Sequence, residues 1–161
     1  MTVSSHANVD AELVWARLAR QSFAVLAHVT PNGEPRCSGV LFAAEGHRLY
    51  VVTAAGSWKA RQIQDGSEVA LTVPVRRGGL LSLVAPVPPA TISFRATVAR
   101  PPAMAFESAP AKLRKLVPPA RRADAVVFIL TPRGRFLTYG VGVPLLRMSD
   151  PALAGARVAI T

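Results

Sequence analysis

The residues best able to do chemistry lie together in the stretch Thr-Ala-Ala-Gly-Ser-Trp-Lys-Ala-Arg-Gln-Ile, residues 53–63. A run of β-branched and aromatic residues ends at Thr53, Ala54-Ala55-Gly56 form a small flexible turn, and Ser57 opens a segment with Lys59 and Arg61 in its first turns. The start of a helix carries partial positive charge from its unpaired backbone N–H groups, so two cations there are unfavourable unless something negative joins them. The hydroxyls of Thr53 and Ser57, the amides of Gly56 and Ser57 and the Lys59 ammonium can meet at one point, and that is the donor set of a monophosphate site. Gly56 would let the backbone come close. Arg61 lies about 200° round the helix from Lys59, so it either reaches a second anionic group or is solvated. Spacing alone leaves a second reading open, in which Ser57 merely caps a helix whose exposed face is basic.

Other reactive side chains offer less. Cys37, the single cysteine, sits in Pro-Arg-Cys-Ser-Gly-Val-Leu-Phe, which reads as a strand, and a small half-buried hydrophobe suits it better than a nucleophile. His6, His28 and His47 show no metal spacing. His28 lies in an apolar strand, where a hydrogen-bonded, half-buried imidazole is the expectation. Tyr139, in Leu-Thr-Tyr-Gly-Val-Gly-Val, is a candidate proton donor, and no catalytic acid or base is assigned.

The elements that must position these groups follow from periodicity and turn chemistry. Residues 10–20 carry Leu13, Val14 and Leu18 with charges between them, an amphipathic helix. Two strands then flank the turn Thr30-Pro31-Asn32-Gly33, and a tight connection over 45–48 leads into Leu-Tyr-Val-Val-Thr. Residues 67–73 form the next strand. A loop from Arg76 runs to Pro86, Pro88 and Pro89, and residues 90–100 follow with Ile92, Phe94, Ala96 and Val98 on one face. Ser108 is an N-cap candidate for a helix through Val117, with Pro110 in its first turn and Pro118 ending it. Residues 124–130 read as a strand buried on both faces, after which Thr131-Pro132-Arg133-Gly134 repeats the Thr-Pro-X-Gly turn and residues 135–140 return. Seven short strands with turn-length connections favour an antiparallel barrel, since parallel strands need long crossovers.

Composition bounds the rest. The 161 residues fit one domain over 1–161, with an N-terminal helix in 1–21 and a C-terminal tail over 140–161. One cysteine excludes an internal disulfide framework and fits a reducing compartment. No apolar run reaches the roughly 18 residues of a membrane span, so a cytoplasmic protein without membrane partners is expected. Nineteen basic and nine acidic residues give a net charge of +10. Its densest run, residues 112–122, contains no aromatic and is broken by Pro118-Pro119, which argues against nucleic acid as the partner.

Residues 36–68 resemble the pyridoxamine 5'-phosphate oxidase-like family, the FMN-binding split barrels. The resemblance rests on Pro-Arg-Cys-Ser-Gly-Val-Leu-Phe, on Arg-Leu-Tyr-Val-Val-Thr-Ala-Ala-Gly-Ser-Trp-Lys-Ala-Arg-Gln-Ile and on Asp-Gly-Ser-Glu-Val-Ala-Leu-Thr-Val. Thr53, Gly56-Ser57, Lys59-Ala60 and Ile63 match the family pattern, in which a strand ending in Thr leads to Gly-Ser-Arg-Lys-Ala. The resemblance implies a mainly β fold with short helices, an antiparallel split β-barrel with Greek-key-like connections. It implies an FMN site in which Ser57 and Lys59 hold the phosphate and Thr53 lies near the ribityl chain or ring. Arg36 would lie near the phosphate, the Ser38 to Val40 backbone beside the ring, and the cofactor at the interface of a homodimer. The implied activity is hydride transfer to or from a small substrate, reached through the loop over 76–90 and the C-terminal tail.

The departures matter equally. Trp58 stands where the family has a phosphate-binding Arg, so its indole is free to pack against the dimer partner or the cofactor. Leu41 stands where the oxidase has a substrate-binding Lys, and Gly-Ala-Arg-Val-Ala-Ile-Thr at the C-terminus lacks the Arg-X-His motif, so oxidation of pyridoxamine phosphate is not expected. A deazaflavin coenzyme is the alternative cofactor, its acidic tail met by Arg61, Arg76 and Arg77. A flavin- or haem-binding protein without enzymatic activity is the alternative from another class.

Overall fold

A computed structural model describes residues 9–77, 87–101 and 106–160. Helix α1 (Ala11–Arg20) leads into β1 (Phe23–Val29), β2 (Pro35–Glu45) and β3 (Arg48–Ala54). Helix α2 (Trp58–Gln62) precedes β4 (Glu68–Val75) and β5 (Ala90–Ala99). Helices α3 (Ala111–Leu116) and α4 (Pro119–Arg122) precede β6 (Ala125–Tyr139), and α5 (Pro151–Ala154) leads to β7 (Gly155–Ala159).

All strand pairings are antiparallel, in the order β3-β2-β1-β4-β5-β6-β7, and β3 also pairs with β6. That extra pairing closes six strands into a barrel, with β7 added beyond β6. The architecture is mainly β with short helices, an antiparallel split barrel. The period-two pattern of β5 is realised directly: Ile92, Phe94, Ala96 and Val98 point inward, while Arg95 is exposed.

Helix α1 begins where Asp10 accepts a hydrogen bond from the Leu13 amide at 2.8 Å, and Arg17 and Arg20 occupy its last turn. It buries Val14, Trp15 and Leu18 against the barrel core. Phe136 stands edge-on to both Trp15 and Phe94, at 5.3 Å between centroids in each case, and joins helix to sheet. A second cluster seats Phe106, Ala109, Leu113 and Val117 on the outer faces of β2 and β6, at Ala43 and Val127. Lys112 ties this layer to α1 by donating to the Ala19 carbonyl at 2.7 Å, and also to the Gln21 carbonyl. Burial pushes its ammonium below the ordinary lysine range.

Three expectations are corrected. Thr131-Pro132-Arg133-Gly134 makes no turn, because β6 runs straight through it. Pairing to β3 ends at Leu130 and pairing to β7 begins at Arg135, so Pro132 sits where the strand has β5 as its one partner and a missing N–H costs no ladder bond. Gly134, at φ 78°, lies in the irregular stretch opposite Ser93 and Arg95 where the register shifts, and marks a barrel corner. The seventh strand is therefore β7, within the C-terminal tail. Ser108 caps no helix: it ends a 3-10 turn (Phe106–Ser108), and α3 starts after Pro110 with no side-chain cap. The residue before a proline is disfavoured in the helical region, so Ala109 separates the two turns. Most of the loop over 76–90 lies outside the described residues.

The aromatic joint predicts that Phe136→Ala lowers unfolding free energy by about 3–5 kcal/mol in urea denaturation, whereas a value under about 1 kcal/mol would contradict the packing described.

Candidate functional site

The site arises where two neighbouring strands part. The β2–β3 ladder runs from Glu45↔Arg48 to Leu41↔Val52 and stops there. Beyond it β2 stays with β1 as far as Val29↔Pro35, while β3 stays with β6 through Thr53↔Val126 and Ala54↔Ala125. Residues 36–40 of β2 thus have no strand partner on the side facing β3, and that edge offers backbone donors and acceptors.

Where β3 ends, the Ala55 amide donates to the Asp124 carbonyl at 2.8 Å and the Ser57 amide donates to the Ala54 carbonyl at 3.0 Å. Ser57 takes an extended conformation as the N-cap of α2, and its Oγ accepts from the Ala60 amide at 3.2 Å. The same Oγ lies 2.9 Å from Thr53 Oγ1. Thr53 and Ser57 are therefore one hydrogen-bonded unit, but the Ser57 amide is already used and leaves the expected donor set. Gly56 has nothing within 4 Å of where a Cβ would stand, so the protein's own packing does not demand glycine there.

Trp58 packs on its own chain. Its ring stacks on His28 at 5.1 Å between centroids, 18° from parallel. His28 faces inward at the end of β1, only 6% exposed, so it is buried rather than half-buried. Its Nε2 is 3.4 Å from Gln62 Oε1, while Nδ1 is buried with no partner. Lys59 Nζ lies 5.0 Å from the Trp58 ring centroid.

The remaining candidates divide. Arg36 pairs in register with His28 and forms an exposed ion pair with Glu34 at 2.9 Å. Ser38 and Val40 face inward on the unpaired stretch of β2; the Ser38 hydroxyl is buried without a partner, and Val40 belongs to the core, so its backbone is what it can offer. Arg61 is exposed, with no bonded side-chain partner among the described residues. Arg76 and Arg77 follow the far end of β4 from α2, and Arg77 donates to the Val143 carbonyl, so they do not join Arg61. Tyr139 is likewise remote: it closes β6 at the end opposite Ala125, with its hydroxyl donating to the Met148 carbonyl at 2.7 Å.

A cavity of about 590 Å³ adjoins the parting point, lined by Leu41, Val52, Thr53, Val117, Arg121 and Asp124 among others. Its walls are mostly apolar, and Leu41 supplies aliphatic surface where the resemblance would have a cation. Pro118 was expected only as the end of the preceding helix, and α4 on the cavity's far side was not anticipated from sequence. The packing role of Gly39 was also missed. A Cβ there would meet Phe23 Cε2 at 2.7 Å, so glycine lets that ring lie against the outer face of β2, and a glycine inside a strand is the signal for such an approach.

The profile of the family described as pyridoxamine 5'-phosphate oxidase matches residues 11–132. The chain belongs to this family. Among solved structures, a haem-binding protein from Mycobacterium smegmatis superposes with a TM-score of 0.63 at 20% identity, over 88% of this chain and 56% of that one. This chain thus spans little more than half the length of that relative. An F420 reductase matches with a TM-score of 0.53 at 25% identity, over 75% of this chain and 93% of the other. An FAD-binding protein from Mesorhizobium loti matches at 0.57 and 16% identity, over 73% and 86%. No curated protein matches. Across the pyridoxamine 5'-phosphate oxidase family likeness, the first and third structures carry the fold alone.

Because Thr53 and Ser57 share one bond, Thr53→Val and Ser57→Ala each destabilise by about 0.5–2 kcal/mol, and the double variant costs less than their sum in a denaturation cycle. Strict additivity would contradict the shared bond.

Proposed function

We propose that the chain is a flavin-binding oxidoreductase of the pyridoxamine 5'-phosphate oxidase-like class, transferring hydride to or from a small substrate, with FMN as its cofactor. The observation that carries this reading is the split between β2 and β3, where an unpaired strand edge at residues 36–40 faces the Thr53–Ser57 unit and the Lys59 turn. The fit is supported by a Ser38 hydroxyl buried without a partner on that edge. FMN would supply the hydride chemistry when bound.

Ser57 and Lys59 would hold the phosphate. The donors are fewer than the sequence implied, since the Ser57 amide is spent, so Lys59 carries most of the charge recognition. Arg36 would stand near the phosphate and the Ser38 to Val40 backbone beside the ring, while Thr53 joins through its hydroxyl. Trp58 acts through its packing. Arg61 is left for a second anionic group. The apolar cavity beyond Leu41 and Val52 gives a substrate room beside the ring and keeps water from it. With Leu41 there, a phosphorylated vitamer has no cation to meet on that strand.

The chain would work as a homodimer. The outer face leaves Phe23 47% and Val29 64% exposed at the two ends of β1, and a cavity of about 380 Å³ beside Val29 is lined by Ala27, Cys37 and Ala70 together with Arg36, Glu68 and Arg95. An exposed apolar flank of this kind along β1 calls for a cover, and a second copy would put the split at the interface. Sedimentation at the mass of a single 17.0 kDa chain would contradict this.

The likeness to an F420 reductase makes a deazaflavin coenzyme the second reading. Among the described residues no helix is long and apolar enough to cross a membrane.

The experiment compares FMN with riboflavin by fluorescence titration. Lys59→Ala should weaken FMN by about 1.5–3 kcal/mol and leave riboflavin unchanged. Unchanged FMN affinity would overturn the phosphate assignment, and tight binding of a deazaflavin coenzyme with none of FMN would move the chain to the second reading.

A further inference from the structure

The family pattern supplies two cations in succession after the Gly-Ser pair, and at these positions, the first two of α2, this chain supplies Trp58 and Lys59. Of that pair Lys59 is the one cation left; Arg36, which the flavin reading places near the phosphate, is in an exposed ion pair with Glu34, and Arg61 is turned away round the helix. No carboxylate lies within 4 Å of Lys59 among the described residues. An unpaired lysine samples many rotamers of its four-carbon stem, and freezing them on binding an anion weakens the complex.

The indole beside it is not free to move. His28 stacks on its face, and His28 is in turn buried on β1 and within reach of Gln62 on α2. The strand of the barrel wall thus fixes the Trp58 ring, and the negative π face of that ring attracts an ammonium. The Lys59 nitrogen lies 5.0 Å from its centroid, within the range at which this attraction operates.

We propose that Trp58 is a positioning residue: clamped by His28, it holds the Lys59 ammonium over its indole before any ligand arrives, so that one pre-set cation does the work of the two in the family pattern. This rests on the flavin-phosphate reading for its ligand, though not for its geometry. Tryptophan at this position is then no lost contact. It replaces a second charge with a smaller entropic loss on binding.

The test uses the full chain as wild type, Trp58→Phe and Trp58→Leu, with two readouts. In the ligand-free protein, the Lys59 ε-methylene protons over an indole face should be shifted upfield in two-dimensional NMR. The shift should shrink in Trp58→Phe, which keeps a π face, and vanish in Trp58→Leu. In titrations, the preference for FMN over riboflavin should fall about two- to fivefold in Trp58→Leu and be largely kept in Trp58→Phe, with riboflavin affinity constant. A role in packing alone would weaken both ligands together. An unshifted Lys59 in the wild type overturns the proposal, as does a Trp58→Leu variant that keeps the full FMN preference. If the wild type makes no distinction between FMN and riboflavin, the flavin-phosphate reading fails, and the NMR shift still decides whether Trp58 holds Lys59.

Discussion

Everything at the site depends on one break in hydrogen bonding, the end of the β2–β3 ladder at Leu41↔Val52. A closed barrel leaves no open edges, so a gap between two neighbours must be sustained by pairings on their other sides. Here β1 holds β2 and β6 holds β3 beyond the break. The chain leaving β3 can then turn at Ala55, where the Asp124 carbonyl takes its amide, and lay α2 against the end of the barrel. His28 and Trp58 meet because of that turn. The unpaired backbone of residues 36–40 is a standing demand for hydrogen-bonding partners, which is a physical reason for a polar, planar ligand to bind there.

The large positive charge has a second explanation besides steering anions. Lys112 donates to Ala19 and Gln21, Arg122 to Val117 and Arg114, Arg100 to Ala60, and Arg77 to Val143, each at a backbone carbonyl. Short helices leave many carbonyls unsatisfied at their C-terminal ends, and long cationic side chains reach them. Of the five cations in residues 112–122, Lys112 and Arg122 are spent on carbonyls and Arg114 faces Glu107 at 3.6 Å, so the run is mostly internal bonding. Lys115 and Arg121 remain, Lys115 exposed and Arg121 at the rim of the apolar cavity.

The barrel was legible because its signals are local. Alternation in β5, the Thr30 to Gly33 turn and the amphipathic spacing of residues 10–20 each dictate structure within a few residues, and the Ser57 N-cap could be read before any tertiary contact was known. The stretch from Thr131 to Gly134 misled because the same Thr-Pro-X-Gly pattern serves a turn in one place and a barrel corner in another. What decides is whether the strand has a neighbour on each side, and that depends on β3 ending its pairing and β7 beginning its own. The Ser108 cap failed for a local reason, the proline two residues on. At the candidate site, the meeting of the Thr53 and Ser57 hydroxyls was readable from spacing. His28 beneath Trp58 was not, because only the strand break brings β1 and α2 together.

The central claim is that the turn leading into α2 binds the cofactor's phosphate. Backbone amide NMR during titration with FMN and, separately, riboflavin tests it most directly. The account predicts that the amides of Gly56, Trp58 and Lys59 move with FMN and stay still with riboflavin, while amides of residues 36–40 move with both. Equal shifts at the turn with both ligands, or phosphate-dependent shifts confined to Arg76 and Arg77, would contradict it.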